Sequence, residues 1–387
     1  MTAPTPADLI DTLVPLPAGH AVHTVRHQRD KVVAATQGSD LALFDPTLDQ
    51  PSLAERLLVA HHIARWAGST ALQAHYRQRL LALPALGTAL QAALDDGGAA
   101  LSDDPRLHAM LGFARTLTER PVAGDRAALL TLPAAGLTTA EVVLIAQLIA
   151  YVAYQLRVVA GLQAMAASAA DVDTAAPPAQ AEAPFVHPAN QPKPGEPVRV
   201  NGFTSETLEW KAWLPVLDLA AATPAQLAVL ESSHPKAKVS DYYRLLAHQP
   251  RVLEERSIVF NAIMYAPGGL SRAERELAST VVSRVNGCVY CAAVHAQRFE
   301  QLSKRNDVIH QVFSEPQGAG TTARERAIVQ VAIDLTRSPA SFSAETLRGV
   351  TAAGLSALEV LDLLHAVAIF AWANRLMLNL GEPVFPA

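Results

Sequence analysis

The feature that most limits the possible fold of this chain is an internal repeat. The segment "AAGLTTAEVVLIAQLIAYVAYQLR" (134–157) aligns without a gap with "AAGLSALEVLDLLHAVAIFAWANR" (352–375), at an offset of 352 − 134 = 218 residues. The same offset matches a second pair of segments, in which Arg106, Ala109, Ala114, Leu117, Thr118 and Pro121 recur as Arg324, Ala327, Ala332, Leu335, Thr336 and Pro339. Self-similarity over two separate segments indicates one structural unit that occurs twice.

The repeated segments carry the start and stop signals of helices. A helix in each copy is expected to end before Pro121 or Pro339, because the proline ring blocks its continuation. The next helix begins with a Thr or Ser followed three residues later by a Glu, the capping-box pattern, which is formed by Thr138 with Glu141 and by Ser356 with Glu359. Alanine, the strongest helix former, is abundant and strand alternation is absent. We therefore predict an all-α fold of two tandem helical domains packed against each other.

A segment rich in Ala and Pro separates the two copies. Residues 166–200 read "AASAADVDTAAPPAQAEAPFVHPANQPKPGEPVRV", which lacks helical periodicity and is typical of an extended linker. The sequence thus predicts a first domain over 1–165, a linker over 166–200 and a second domain over 201–387. The chain of 387 residues has the length expected of about two domains.

The charge and hydropathy of the chain limit its partners and location. The formal net charge is −5 without a long basic run, so the positive patch of a nucleic-acid-binding protein is missing. The N-terminal "MTAPTPADLIDTL" lacks the features of a signal peptide. The most apolar stretch, 142–156, is shorter than the roughly 20 residues that span a bilayer. We therefore expect a buried core helix and a cytoplasmic protein that does not enter a membrane.

Both cysteines of the chain lie in one short motif, "NGCVYCAAVH" (286–295). At roughly 100° per residue, Cys288, Cys291 and His295 share one helix face, and "NG" suits the turn before that helix. Thiols in the first turn meet unpaired N–H groups and the helix dipole, so a lowered thiol pKa is expected. Three other interpretations are less favoured. A zinc site would need a second Cys or His pair with the required spacing, and a thioredoxin-like motif would need neighbouring β-strands, which the pattern lacks. The third is that the two cysteines are merely buried.

The segment around this motif resembles a known family. "LSRAERELASTVVSRVNGCVYCAAVHAQRF" (270–299) is similar to the active-site segment of alkyl hydroperoxide reductase D (AhpD) and the wider carboxymuconolactone decarboxylase-like family, and "YYRLLAHQPRVLEERSIVFNAIMYAPGGL" before it resembles the lead-in of peroxidase-related members. The resemblance implies that the catalytic residues are Glu276, a resolving Cys288, a peroxidatic Cys291 and a proton-relay His295. AhpD has a histidine between its cysteines, where this chain has Tyr290.

The resemblance also implies a function for the second domain. It implies a thiol-dependent alkylhydroperoxidase that reduces organic hydroperoxides or hydrogen peroxide. Its redox group would be a Cys288–Cys291 disulfide, without a metal or a bound cofactor, and a dihydrolipoyl or thioredoxin-like protein would be its reductant. Alternatives are a thiol-disulfide oxidoreductase without significant peroxidase activity and a carboxymuconolactone decarboxylase-like enzyme. Similar family members are oligomers, so we expect a homo-oligomer, with a trimer that imitates a hexamer as one form.

The first domain is predicted to be a degenerate copy. An offset of 219 upstream of the repeated segments places Ser69 opposite Cys288, Leu72 opposite Cys291 and Leu57 opposite Glu276. His75 is one position out of register with His295 and is expected to be an ordinary surface or packing histidine. The sequence therefore predicts chemistry in the second copy alone.

Overall fold

The computed structural model describes residues 8–95, 104–168 and 195–386. We call residues 8–168 the first half and residues 195–386 the second half. The helices of the first half are α1 (Leu9–Leu13), α2 (Ala21–Arg26), α3 (Asp30–Leu43), α4 (Leu53–Trp66), α5 (Thr70–Leu81), α6 (Thr88–Asp95), α7 (Pro105–Glu119), α8 (Arg126–Ala134) and α9 (Thr139–Ala167).

The second half repeats the order of the helices from α4 onward. Its helices are α10 (Pro224–Ser233), α11 (Asp241–Leu246), α12 (Pro250–Met264), α13 (Arg272–Asn286), α14 (Val289–Ser303), α15 (Asp307–Ser314), α16 (Ala323–Arg337), α17 (Ala344–Ala352) and α18 (Ala357–Met377). Its strands are β1 (Arg199–Val200), β2 (Phe203–Thr204), β3 (Glu209–Ala212) and β4 (Gly381–Val384). They form two antiparallel pairs, β1 with β2 and β3 with β4.

The all-α prediction is confirmed, because helices form the core and the strands among the described residues are short. The predicted linker lies mostly outside the described residues, which leave out 169–194. At its edges, α9 continues to Ala167 and β1 begins at Arg199. The predicted ends before Pro121 and Pro339 are confirmed by α7 and α16, and both predicted capping boxes form. The division into three segments stays a prediction.

The two halves pack through their longest helices, α9 and α18, and through α3 against α12. Helix α9 is 29 residues long, so the expectation that its apolar stretch is too short to span a bilayer is wrong. By length and composition α9 and α18 could each cross a membrane, but their apolar windows are almost wholly buried in the fold. Such burial is typical of core helices, as the sequence predicted for 142–156.

A repeated arginine joins each half to the other. Arg157 donates through Nη1 to the Ala153 carbonyl of its own helix and through Nη2 to the Thr336 carbonyl of the second half, at 2.8 and 2.7 Å. Its repeat partner, Arg375, donates to the Ala371 carbonyl and, through Nε, to a carbonyl of the first half, at 3.1 and 3.0 Å. Each repeated arginine therefore bonds a carbonyl of its own helix and a carbonyl near the end of α7 or α16 in the other half.

Candidate active site

The turn between α13 and α14 places both cysteines at a helix start. Gly287 ends α13 in the left-handed region, with φ of 79°, where a residue without a Cβ is favoured. The next residue, Cys288, donates its backbone N–H to the Ser283 carbonyl at 2.8 Å and caps α14 in an extended conformation. Cys291 follows in the first turn of the helix. The position that the sequence predicted for the two thiols is confirmed.

The two cysteine side chains are almost inaccessible. Cys288 is 1% exposed and Cys291 is 4% exposed. Burial raises the pKa of the Cys288 thiol well above its ordinary value, and a hydrogen bond with Cys291 acts in the same direction. The expectation of a lowered pKa is therefore wrong for Cys288, because the loss of hydration outweighs the modest effect of the helix terminus.

Glu276 and His295 are in direct contact across α13 and α14. The Glu276 Oε2 atom lies 2.5 Å from His295 Nδ1, with side chains that are 4% and 12% exposed. The imidazole also meets the Phe370 ring edge to face, with centroids 4.4 Å apart. The carboxylate thus fixes the ring orientation and leaves Nε2 as the nitrogen for proton exchange. Glu274, two residues away, instead completes the capping box of α13.

Comparisons with known proteins address this site directly. Residues 250–334 match the model of the carboxymuconolactone decarboxylase family, a segment that contains all four predicted site residues. The second half contains a carboxymuconolactone decarboxylase-like segment. A solved structure from Ralstonia eutropha JMP134, described as an alkylhydroperoxidase AhpD core and an uncharacterized peroxidase-related protein, is 23% identical, with a TM-score of 0.38, over 44% of this chain and 88% of that chain. A comparison with curated proteins found no match.

The carboxymuconolactone decarboxylase-like segment brings its four predicted residues into two contacting pairs, Glu276 with His295 and Cys288 with Cys291. The pairs are connected through α14, on which His295 follows Cys291 by one turn. Side chains at this spacing are neighbours on a helix surface. The arrangement therefore places a thiol and a carboxylate-oriented imidazole on the same face of α14.

The cluster of Tyr242, Arg256 and Phe260, which the sequence reasoning did not single out, approaches the thiols through Tyr242. Tyr242 on α11 is buried, and a negative charge on either cysteine adds to the rise in its pKa that burial causes. The Arg256 guanidinium lies 5.5 Å from the Tyr242 ring centroid and 5.1 Å from that of Phe260. The available signal was the lead-in segment "YYRLLAHQPRVLEERSIVFNAIMYAPGGL", which contains all three residues.

Tyr290 lies between the two cysteines in the sequence. Burial raises its pKa to about 12, and the charge of a Cys291 thiolate contributes in the same direction. The phenol therefore stays neutral near pH 7 and cannot accept a proton as an imidazole does. Of these two side chains on α14, the imidazole of His295 is the one whose chemistry allows it to accept a proton.

The corresponding positions of the first half hold a packed core. Ser69 caps α5 as Cys288 caps α14, while Leu57 and Leu72 are buried. Tyr76 stands at the position of His295 and donates its hydroxyl hydrogen to Gln155 Oε1. His75 packs edge to face on Tyr76, and burial lowers its pKa to about 4. The prediction of a packing histidine is confirmed.

Among the residues that the structure describes, one group has possible ligand atoms at metal-binding spacing, and it includes neither cysteine. Ligand atoms of Asp11, His23 and His27 lie within 4.8 Å of one another. The second carboxylate oxygen of Asp11 accepts from Arg26 at 2.7 Å. This guanidinium also pairs with Asp8 at 2.9 Å, and its positive charge beside the group weakens it as a cation site.

Proposed function

We propose that the second half is a thiol-dependent alkylhydroperoxidase that reduces organic hydroperoxides or hydrogen peroxide. One observation supports this most strongly: His295 is oriented by Glu276 at 2.5 Å and follows a buried cysteine pair by one helical turn. An activated cysteine needs a nearby base that a third group holds in place. The family match over 250–334 supports the same assignment.

The reaction begins at Cys291. His295 takes the Cys291 proton, and the thiolate sulfur attacks one oxygen of the hydroperoxide. An S–O bond forms as the O–O bond breaks, and the departing oxygen takes the proton from the imidazole to leave as an alcohol or as water. Cys291 is oxidised to a sulfenic acid, and the hydroperoxide is reduced by two electrons.

Cys288 completes the cycle as the resolving thiol. Its raised pKa keeps it protonated beside the Cys291 sulfur, so it can donate a hydrogen bond while Cys291 reacts. The Cys288 sulfur then attacks the sulfenic sulfur, which forms a disulfide and releases water. An external dithiol restores both thiols by exchange and is itself oxidised to a disulfide.

The burial of the thiols favours a small substrate. With exposed fractions of 1% and 4%, neither sulfur is accessible to the folded surface of a protein disulfide. This argues against the alternative of a general thiol-disulfide oxidoreductase, whereas a hydroperoxide can diffuse inward. The same argument favours a slender dihydrolipoyl group over a thioredoxin-like surface as the reductant. A carboxymuconolactone decarboxylase-like reaction remains the second alternative, because of the matched family.

A single-turnover experiment tests the assignment. The reduced protein is mixed with cumene hydroperoxide or hydrogen peroxide, the peroxide consumed is measured, and the cysteines are identified by mass spectrometry. Cys288→Ser should consume about one equivalent and accumulate a sulfenic acid at Cys291, whereas Cys291→Ser should consume none. Ser69→Ala is the matched control and should behave as the unaltered protein. Full activity in Cys291→Ser would overturn the proposal.

The chain is also expected to form a homo-oligomer in the cytoplasm. The packing of α9 against α18 and of α3 against α12 lets the first half act as a built-in partner of the second. Light scattering measures the assembly directly. A monomeric mass across the working concentration range would contradict this expectation.

A further inference from the structure

A cavity of about 840 Å³ opens between the two halves. Its walls come from the ends of α7 and α16, from α9 and α18, and from the end of α13, where Gly287 reaches it. It is therefore built largely by equivalent elements of the two copies of the repeat.

Two buried arginines line the deep part of this cavity. Arg157 and Arg375 are 4% and 3% exposed, and their recorded hydrogen bonds go to backbone carbonyls. Burial lowers the pKa of Arg375 to about 10, and burial together with the charge of Arg375 lowers that of Arg157. In the described parts of the chain, no carboxylate is paired with either guanidinium. Two buried positive charges are thus left without a counter-ion, which is costly.

Two polar atoms in the same wall have no hydrogen-bond partner within the described residues. They are the Arg157 Nε atom and the Thr336 Oγ1 atom, in side chains that are almost wholly buried. Buried donors of this kind are normally satisfied, and each that is not needs a reason. A bound group with acceptor oxygens would supply one after a side-chain rotation, because neither atom is exposed to the cavity in this structure.

The mouth of the cavity is also positively charged. Arg120 and Arg337 are exposed there, and Arg284 is half-buried beside them. The acidic residue of this lining, Glu119, accepts from Arg115 at 3.0 Å. Apolar side chains complete the wall, among them Trp66, Val122, Leu156 and Phe203.

We propose that this cavity binds an organic anion, with its carboxylate or phosphate group at Arg157 and Thr336 and its apolar body against the wall. Guanidinium groups pair with both kinds of oxyanion. The hydrogen bonds that Arg157 and Arg375 make to carbonyls do not neutralise their positive charges. They also leave the Thr336 hydroxyl without a partner beside an open cavity. This site is separate from the proposed peroxidase reaction, since neither cysteine lines it.

Isothermal titration calorimetry of the full chain tests the proposal. The probes are octanoate, octyl phosphate, inorganic phosphate and neutral octanol. We expect octanoate or octyl phosphate to bind at least about tenfold more tightly than octanol, because the site requires a charged head group. We expect the same difference from inorganic phosphate, because the site also requires an apolar body. Which of the two octyl compounds binds more tightly identifies the head group. Equal binding of octanol, or binding by no probe, would overturn the proposal.

Variants locate the binding. Thr336→Val replaces an unpartnered hydroxyl with a methyl group, and Arg337→Gln changes an exposed residue, so both should fold. Each should weaken binding by about three- to tenfold. Arg348→Gln is the matched control for charge, because Arg348 is exposed and lies outside the cavity lining, and it should leave binding unchanged. Unchanged affinity in both Thr336→Val and Arg337→Gln would refute the site, whatever the peroxide assay shows.

Discussion

The two halves of this protein share a scaffold and differ in chemistry. Gly68 and Gly287 both adopt the left-handed conformation before equivalent helices, and Arg157 and Arg375 each donate to a carbonyl of the other half. Yet the four positions that form the candidate site of the second half hold Leu57, Ser69, Leu72 and Tyr76 in the first. The scaffold therefore depends on turns, caps and helix packing, and the four chemical positions can change without its loss.

The largest effect should come from the histidine position. His295→Ala removes the imidazole that Glu276 orients, so oxidation of Cys291 by peroxide should slow by about 10². Tyr76→Phe removes only a hydroxyl bonded to Gln155 in the first half and should leave that rate unchanged. Stopped-flow measurement of thiol oxidation compares the two variants. Similar losses in both would mean that the first half takes part in the chemistry.

A buried carboxyl group should give the next effect, on stability. Asp40 is 4% exposed, and one of its oxygens accepts from Arg79 at 3.2 Å. Burial raises its pKa from 3.8 to about 6, and Arg79 only partly opposes this shift. Because the folded state holds the proton more tightly than the unfolded state, the stability contributed by this group falls as pH rises from about 4 to about 6. Above that range the penalty is constant.

Asp40→Asn should therefore stabilise the protein at pH 7 by about 2 kcal/mol, after allowance for the lost pair with Arg79. At pH 4, where Asp40 is protonated in the folded state, the variant and the unaltered protein should be nearly equal. Urea unfolding at both pH values measures the difference in unfolding free energy between the two proteins. Buried histidines titrate in both proteins, so their contribution cancels in this difference. A variant that is less stable at pH 7 would show that the ionised carboxylate supports the first half.

The sequence was sufficient for features that depend on local patterns. The capping boxes and the helix ends before Pro121 and Pro339 follow from neighbouring residues. Glu276 and His295, which contact each other, were both named through the family motif. The pKa of Cys288 was not predictable, because it depends on burial by residues distant in the chain. Tyr242 was missed for the same reason: its approach to the thiols is a tertiary contact without a spacing rule.

The two turn glycines form a matched pair for comparing the halves. Gly68 and Gly287 have φ of 73° and 79°, and a Cβ on either would lie 3.1 Å from a side-chain atom, of Ala340 or of Val122. Replacement of either by Ala should cost about 1–2 kcal/mol of unfolding free energy. Only Gly287→Ala should also slow thiol oxidation, because Cys288 follows it. Urea unfolding and the stopped-flow assay separate the two effects, and a slower reaction in Gly68→Ala would contradict the comparison.

A smaller effect is expected from a duplicated ion-pair cluster. In the first half, Arg106 connects the capping-box glutamates of α4 and α9, with its Nη2 atom 2.7 Å from Glu141 and its Nε atom 3.3 Å from Glu55. In the second half, Arg324 connects the equivalent glutamates of α13 and α18. Both arginine side chains are partly exposed, at 24% and 30%, so water and salt screen the pairs.

Arg106→Gln and Arg324→Gln should therefore each lower the unfolding free energy by only about 0.5–1 kcal/mol, since partly exposed pairs contribute little and each glutamate keeps its capping role. The two losses should agree, and both should shrink in 1 M salt because screening weakens the pairs in the unaltered protein. Neither should change the rate of thiol oxidation. Urea unfolding at low and high salt measures this, and a loss confined to one half would mean that the repeat no longer specifies two equivalent scaffolds.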